Sequence, residues 1–148
     1  MKAEKILLPV SVLLGVSMFV FGVLKFVDPF KGWYAVQITG SGLGSHSYWL
    51  GIAGEIAAGV ILLSSVLFRK RLSLQLFRLF LTAASVLVIA MMLTGIYVHL
   101  HNNVPASVLP LKIKPPFIPG GFLLLAMVNL VLVQRGNRHV EARDISKQ

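Results

Sequence analysis

The sequence predicts an all-α integral membrane protein, a four-helix bundle with both termini on the cytoplasmic side. Three observations predict this fold class: four long apolar runs, a shortage of charge, and basic residues gathered at one side of the runs. Of the 148 residues, 56% are hydrophobic and only 13% are charged. An average soluble domain carries about 25% charged residues. A soluble domain of this length needs more charge to cover its surface, so we expect one membrane domain over the whole chain.

Four apolar runs are long enough to be membrane spans. They cover about residues 6–27, 49–68, 79–100 and 117–133. Crossing about 30 Å of hydrocarbon takes roughly 17–25 helical residues, so three runs qualify easily and the fourth is at the short end. The first run is too long for the apolar part of a secretory signal, and no small-residue cleavage site follows it. We therefore expect an uncleaved first span and a basic cytoplasmic tail at 134–148.

The basic residues predict how the spans are oriented. Ten of the fourteen Lys and Arg residues fall in the N-terminal segment, in the link between the second and third spans, or in the C-terminal tail. Because basic residues accumulate in cytoplasmic loops, this bias predicts a multi-pass protein of the plasma (inner) membrane with cytoplasmic termini. It also accounts for the net charge of +9. No basic patch is interleaved with aromatic residues, so we expect no nucleic-acid partner.

The two longer loops lie on the outer side in this topology. The first, about 28–48, contains the glycine-rich stretch 39–45, and the second, about 101–116, contains four prolines. No strand precedes the glycines, so they fail the context test for a phosphate-binding loop and predict a flexible loop instead. Proline cannot continue a helix, so the second loop is expected to be extended or turned. Aromatic residues cluster at the outer water boundary, where amphipathic rings sit well: Trp33, Tyr34, Tyr48 and Trp49.

Four polar residues inside or at the margin of the spans are the candidates for function: Lys25, Glu55, His99 and Asn129. Charged groups in hydrocarbon are costly, so they normally face the bundle interior and find partners. Lys25 and Glu55 could pair if their helices touch, or the long stem of Lys25 could carry its charge outward. Glu55 has a short stem and lies among small residues, which favours a buried partner. For Asn129, the default role is an interhelical hydrogen bond.

Redox and metal chemistry carried by the chain itself is not indicated. The sequence contains no cysteine, which excludes disulfides, thiolate metal sites and a Cys-x-x-Cys redox pair. His99 and His101 would point about 200° apart on a helix. Nothing nearby supplies the further ligands of a catalytic metal site, so no metal is expected. No catalytic triad can be assembled, and the sequence leaves open whether the protein is an enzyme.

Two short elements resemble a known family. Residues 21–26 read FGVLKF, and residues 51–63 read GIAGEIAAGVILL. The pair resembles the charged elements that close the first span and open the second in the DoxX-like family of small four-helix membrane proteins. The resemblance covers roughly residues 10–135, and Lys25 and Glu55 match the family's charged positions. The proline-rich segment 104–116 is atypical of the family.

The resemblance implies a quinone-linked subunit or an oxidoreductase partner. Lys25, Glu55 and His99 share a depth near the outer face, and together with Asn129 they form the predicted ligand pocket. A quinone is then the candidate cofactor, bound without a covalent link. The expected partners are the lipid bilayer and a membrane or peripheral oxidoreductase, and the chain could also form a homo-oligomer. Two alternatives stay open: binding or transport of a lipid-like ligand without catalysis, and a membrane assembly or chaperone factor.

Overall fold

The computed structural model of the protein describes the backbone of residues 2–145 and the side chains of residues 5–135. Over that range the fold is all-α, with five α-helices and two short 3-10 helices. The α-helices are α1 (Lys2–Leu24), α2 (Phe30–Ser41), α3 (Ser45–Leu67), α4 (Leu74–Leu100) and α5 (Phe117–Ile145). The 3-10 helices, Ala106–Val108 and Pro110–Lys112, lie between α4 and α5. The four long helices pack together, which confirms the predicted all-α four-helix bundle.

Each of the four long helices contains a candidate membrane span. The spans are Lys5–Leu24, Ser45–Leu67, Leu74–Leu100 and Phe117–Arg135, so the predicted number of four is confirmed. A helix satisfies its backbone hydrogen bonds internally, which is what a bilayer demands of a spanning segment. Large apolar side chains cover much of the outer surface of these helices. Length and composition thus imply a multi-pass protein associated with a lipid bilayer.

Glycines let α1 and α3 approach each other closely. A Cβ atom at Gly59 would lie 2.6 Å from the backbone nitrogen of Phe19 and 2.9 Å from the carbonyl oxygen of Gly15. A Cβ atom at Gly22 would lie 2.6 Å from Cγ1 of Ile56. Helices in a bilayer associate through van der Waals packing rather than through a hydrophobic driving force, so close backbone approach matters here. This pair of helices sets the geometry of the site described below.

A buried polar cluster joins three of the long helices. Asn129 on α5 accepts a hydrogen bond from the Ser11 hydroxyl on α1 at 2.8 Å, and its amide donates to the Ser85 hydroxyl on α4 at 2.9 Å. The Ser85 hydroxyl in turn donates to the carbonyl of Leu81 at 2.7 Å. Ser11, Ser85 and Asn129 are completely buried. The predicted role of Asn129 in an interhelical hydrogen bond is confirmed.

Helix α2 and the two 3-10 helices form a cap over one end of the bundle. We call this the cap end, and we call the opposite end, which holds the connection 68–73, the link end. The predicted outer loop over about 28–48 is wrong for residues 30–41, which form α2. The helix is ordered by burial, because Tyr34 and Ile38 pack against Ile52 of α3. A short helix stabilised by such tertiary contacts needs little intrinsic helix propensity.

Only the last glycines of the 39–45 stretch leave the helical conformation. Gly42 has φ of 72° and ends α2, and Gly44 has φ of 78° and precedes α3. Glycine adopts these left-handed conformations at no steric cost. Gly40 stays helical, and its missing side chain makes room for the carbonyl of Asn103, which would lie 2.8 Å from a Cβ atom.

The proline-rich segment is turned, as predicted, and is fixed by burial and hydrogen bonds. Val104 and Leu109 are buried against Val98 of α4. Lys114 donates hydrogen bonds to the carbonyls of His101 and Val104. Two further hydrogen bonds bind the cap together: the Gln37 side-chain amide donates to the carbonyl of Val108, and the Tyr97 hydroxyl donates to the carbonyl of Ser41.

Candidate functional site

Lys25 and Glu55 form an ion pair beneath the cap. The ammonium nitrogen of Lys25 lies 2.6 Å from Oε1 of Glu55. The two side chains are only 16% and 9% exposed, so the sequence-based alternative in which Glu55 has a buried partner is confirmed. The pair depends on the close approach of α1 and α3, since a Cβ atom at Gly22, one turn before Lys25, would lie 3.3 Å from Cβ of Glu55.

The second carboxylate oxygen of Glu55 is the most unusual atom of the site. Oε2 is buried and has no hydrogen-bond partner among the residues whose side chains are described. Leaving a buried acceptor unsatisfied costs about 1–3 kcal/mol, and more when the group is charged. Unsatisfied buried polar atoms are rare in native folds, and each one calls for a specific explanation such as a bound ligand or a functional role.

Tyr34 of α2 covers the ion pair. The ammonium nitrogen of Lys25 lies 3.9 Å from the centroid of the Tyr34 ring, within the range of a cation–π interaction. The Tyr34 hydroxyl donates a long hydrogen bond of 3.4 Å to the carbonyl of Ser47. Burial raises the pKa of the Tyr34 phenol, and the nearby Glu55 carboxylate raises it further, so the hydroxyl keeps its proton at neutral pH.

Tyr34 was predicted only as a member of the aromatic boundary cluster and not as a site residue. Within that cluster Trp49 is exposed, as expected of a boundary residue, whereas Tyr34 is buried. The rings of Tyr34 and Tyr48 lie 5.0 Å apart and form an aromatic wall, of which the Tyr34 ring contacts the lysine. The available signal was position: Tyr34 is nine residues after Lys25, in the segment that connects the two charged spans.

A glycine on α3 forms the notch that holds the Tyr34 hydroxyl. A Cβ atom built at Gly51 would overlap the Tyr34 hydroxyl oxygen. At Gly54, one turn further along α3, the atoms nearest to an added Cβ belong to the Met91 side chain, with Sδ at 2.9 Å. The flexible thioether of Met91 can move aside. The Tyr34 ring packs against the helix backbone, so it must be displaced.

We therefore expect Gly51→Ala to displace Tyr34 and to expose Glu55. The measurement is the extent of Glu55 modification by dicyclohexylcarbodiimide, a lipid-soluble carboxyl reagent, read by peptide mass spectrometry. Modification should rise several-fold in Gly51→Ala and stay at the wild-type level in the matched control Gly54→Ala. Equal modification in all three proteins would show that Tyr34 does not shield the carboxylate.

His99 is buried but bonds within its own helix. Its Nδ1 lies 2.9 Å from the carbonyl oxygen of Gly95, which must accept, so Nδ1 carries the proton. Among the hydrogen bonds of residues 5–135, none joins His99 to Lys25 or Glu55. His101 uses its Nδ1 to accept a bond from the backbone of Asn103 at 3.4 Å. Within the described part of the chain, no three His, Cys, Asp or Glu residues cluster to hold a metal.

Asn129 lies far from the ion pair. Its partner Ser11 lies on α1, fourteen residues before Lys25, which directly follows the helix. Fourteen residues correspond to about 21 Å along a helix. The structure therefore brings Lys25 and Glu55 together, adds Tyr34, and leaves Asn129 in the separate polar cluster.

Open surface depressions also lie away from the ion pair. One of about 390 Å³ is found where α4 ends at the cap, and it is lined by Tyr97, Leu100, His101, Asn102 and Asn103. Glu55 is not part of its wall. Of the two members of the ion pair, Lys25 is the more exposed.

Fold and site together define the class: a multi-pass membrane protein of four candidate spans, with a buried Lys–Glu pair under a tyrosine at one end. No protein family matches the chain, and neither a curated protein nor a solved structure matches it.

Proposed function

We propose that the protein is a DoxX-like membrane subunit that binds a quinone-type headgroup at Lys25, Glu55 and Tyr34 and works with an oxidoreductase. The observation that carries this proposal is the buried Oε2 of Glu55, which has no hydrogen-bond partner among the described side chains. The resemblance of residues 21–26 and 51–63 to the charged elements of that family supports the same pair of residues.

The chemistry of the site suits a flat, apolar headgroup with oxygen substituents. Small-molecule sites are mostly apolar, with a few placed polar groups that fix orientation. Here the polar groups are the ammonium of Lys25 and the carboxylate of Glu55, and the rings of Tyr34 and Tyr48 supply an aromatic wall. An apolar tail would extend into the lipid beside Phe26, which is exposed next to Lys25.

The proposal includes a membrane orientation. We propose that the link end and both termini face the cytoplasm and that the cap end faces outward across the plasma membrane. The bias of ten basic residues out of fourteen towards the termini and the link between the second and third spans supports this orientation. The site then lies near the outer face, together with His99, which we retain as a proposed site residue on α4.

The test is binding of decylubiquinone, offered in its oxidised and its reduced form, to the purified protein in lipid nanodiscs. Quenching of tryptophan fluorescence reports binding. We expect wild type to bind and Glu55→Gln to bind the reduced form at least about ten-fold more weakly, the effect of losing one hydrogen bond to a charged group. Asp28→Asn removes the same charge from an exposed position at the same end and should bind like wild type. Absence of binding in both redox forms would overturn the proposal.

A further inference from the structure

We infer that the ligand of this site bears a hydroxyl group, which donates to Oε2 of Glu55 and accepts from the ammonium of Lys25. Among quinone-type molecules the site then selects the reduced quinol over the oxidised quinone. This inference rests on the proposed function, because it takes the ion pair to be a ligand site.

The second oxygen of the Glu55 carboxylate needs a hydrogen-bond donor. Oε1 of Glu55 already accepts from Lys25 at 2.6 Å, while Oε2 has no partner among the described side chains. A carboxylate in an ion pair only accepts hydrogen bonds. A quinone carbonyl also only accepts, so placing one against Oε2 would set lone pairs against lone pairs. A hydroxyl proton instead gives a charge-assisted hydrogen bond, which is about twice as strong as a neutral one.

The lysine supplies a donor beside that acceptor. An ammonium group has three protons. One is used by Oε1 of Glu55, and among residues 5–135 no second hydrogen-bond acceptor contacts the Lys25 nitrogen, which otherwise faces the Tyr34 ring. A donor and an acceptor side by side match a hydroxyl group, which is both. A cationic amine could satisfy Oε2, but it would lie next to the positive charge of Lys25.

The shared chemistry, a hydroxyl group on an apolar body, has two sources in a membrane. One is the phenolic hydroxyl of a quinol, and the other is the glycerol hydroxyl of a lipid such as diacylglycerol. The aromatic wall of Tyr34 and Tyr48 favours the quinol, since aromatic rings gain from offset or edge contacts with one another.

The experiment compares four probes on the wild-type protein in nanodiscs: decylubiquinol kept reduced, its dimethyl ether, decylubiquinone and dioctanoylglycerol. We expect the quinol to bind roughly 10-fold to 100-fold more tightly than either the ether or the quinone. Methylation removes the donated proton and keeps the ring, the tail and the oxygens. The comparison needs no variant, so it does not depend on how a substitution affects folding.

Glu55→Gln adds a second readout. Its amide oxygen can accept from Lys25, which turns the amide nitrogen, a donor, towards the ligand. We expect this variant to lose its preference for the quinol, so that it binds the quinone at least as tightly as the quinol. Asp28→Asn, at an exposed position, should keep the wild-type preference.

The outcomes separate this inference from the proposed function. Equal binding of quinol and dimethyl ether would overturn the hydroxyl inference and leave the quinone-type site standing. Binding of dioctanoylglycerol alone would support the hydroxyl inference, identify a lipid as its source and overturn the quinone proposal. No binding of any probe would overturn both.

Discussion

Replacing one member of the Lys25–Glu55 pair is expected to destabilise the protein far more than replacing both. Removing one partner of a buried ion pair leaves an uncompensated charge and costs about 3–5 kcal/mol, whereas exchanging both partners for apolar groups is often neutral. We therefore expect Lys25→Met and Glu55→Leu each to lower the Tm, by roughly 6–20 °C, and the double variant to melt near wild type. Thermal unfolding in detergent, followed by tryptophan fluorescence, gives the three values.

The two single variants should differ from each other. Lys25→Met leaves the carboxylate of Glu55, the more buried group, without its cation. Glu55→Leu leaves Lys25, whose longer stem can carry the ammonium towards water. Lys25→Met should therefore be the less stable of the two. Lys31→Met, at an exposed position on α2, serves as the control and should melt like wild type.

The double variant also distinguishes a ligand site from a purely structural pair. If it melts near wild type but no longer binds the quinol, the pair is retained for binding. If it loses as much stability as the two single variants combined, the two groups act independently and the ion pair is not the energetic unit that its geometry indicates.

The number and approximate position of the spans were predictable because a bilayer imposes a strong rule. Each span must be long, apolar and helical, and hydropathy along the chain reports all three requirements. Helix α2 was not predicted, because the requirements of a bilayer do not determine the structure of a segment outside the spans. Its order comes from contacts distant in sequence, such as Ile38 against Ile52 and Gly40 against Asn103, and no local pattern encodes them.

The sequence predicted that Lys25 and Glu55 would form an ion pair only if their two helices touch. Charge and depth indicated that Lys25 and Glu55 could meet, but their meeting depends on the register of α1 against α3. Gly22 sets that register by admitting Ile56 and Glu55 of the facing helix. Asn129 was added to the predicted pocket only as a polar residue within a span, and its partners Ser11 and Ser85 hold it elsewhere in the bundle.

The position of the Tyr34 ring over Lys25 was the feature of the site hardest to predict from the sequence. A tyrosine in a connecting segment is typical of the membrane boundary, and a ring over a buried lysine requires α2 to fold back across the bundle. The notch at Gly51 becomes visible only once that path is known, because an unremarkable glycine in a span has many other roles.

Gly59→Ala is expected to disrupt the bundle and the site together. The added Cβ would lie 2.6 Å from the backbone nitrogen of Phe19 and 2.9 Å from the carbonyl oxygen of Gly15. Backbone atoms cannot rotate away as a side chain can, so α1 and α3 must separate. Overpacking of this kind costs about 1–3 kcal/mol, and more where the neighbours cannot move. The expected result is a clear fall in Tm, measured by the same thermal unfolding.

Gly120→Ala supplies the matched control, because a Cβ atom there meets nothing within 4 Å. The same exchange at this helical position should be neutral or stabilising, since alanine favours a helix by about 0.8–1 kcal/mol over glycine. Gly59 lies one turn from Glu55, so a separation of α1 from α3 also lengthens the reach from Lys25 to the carboxylate. We therefore expect Gly59→Ala to bind decylubiquinol more weakly than Gly120→Ala does. If both variants melt and bind alike, the close approach of α1 and α3 does not hold the ion pair together.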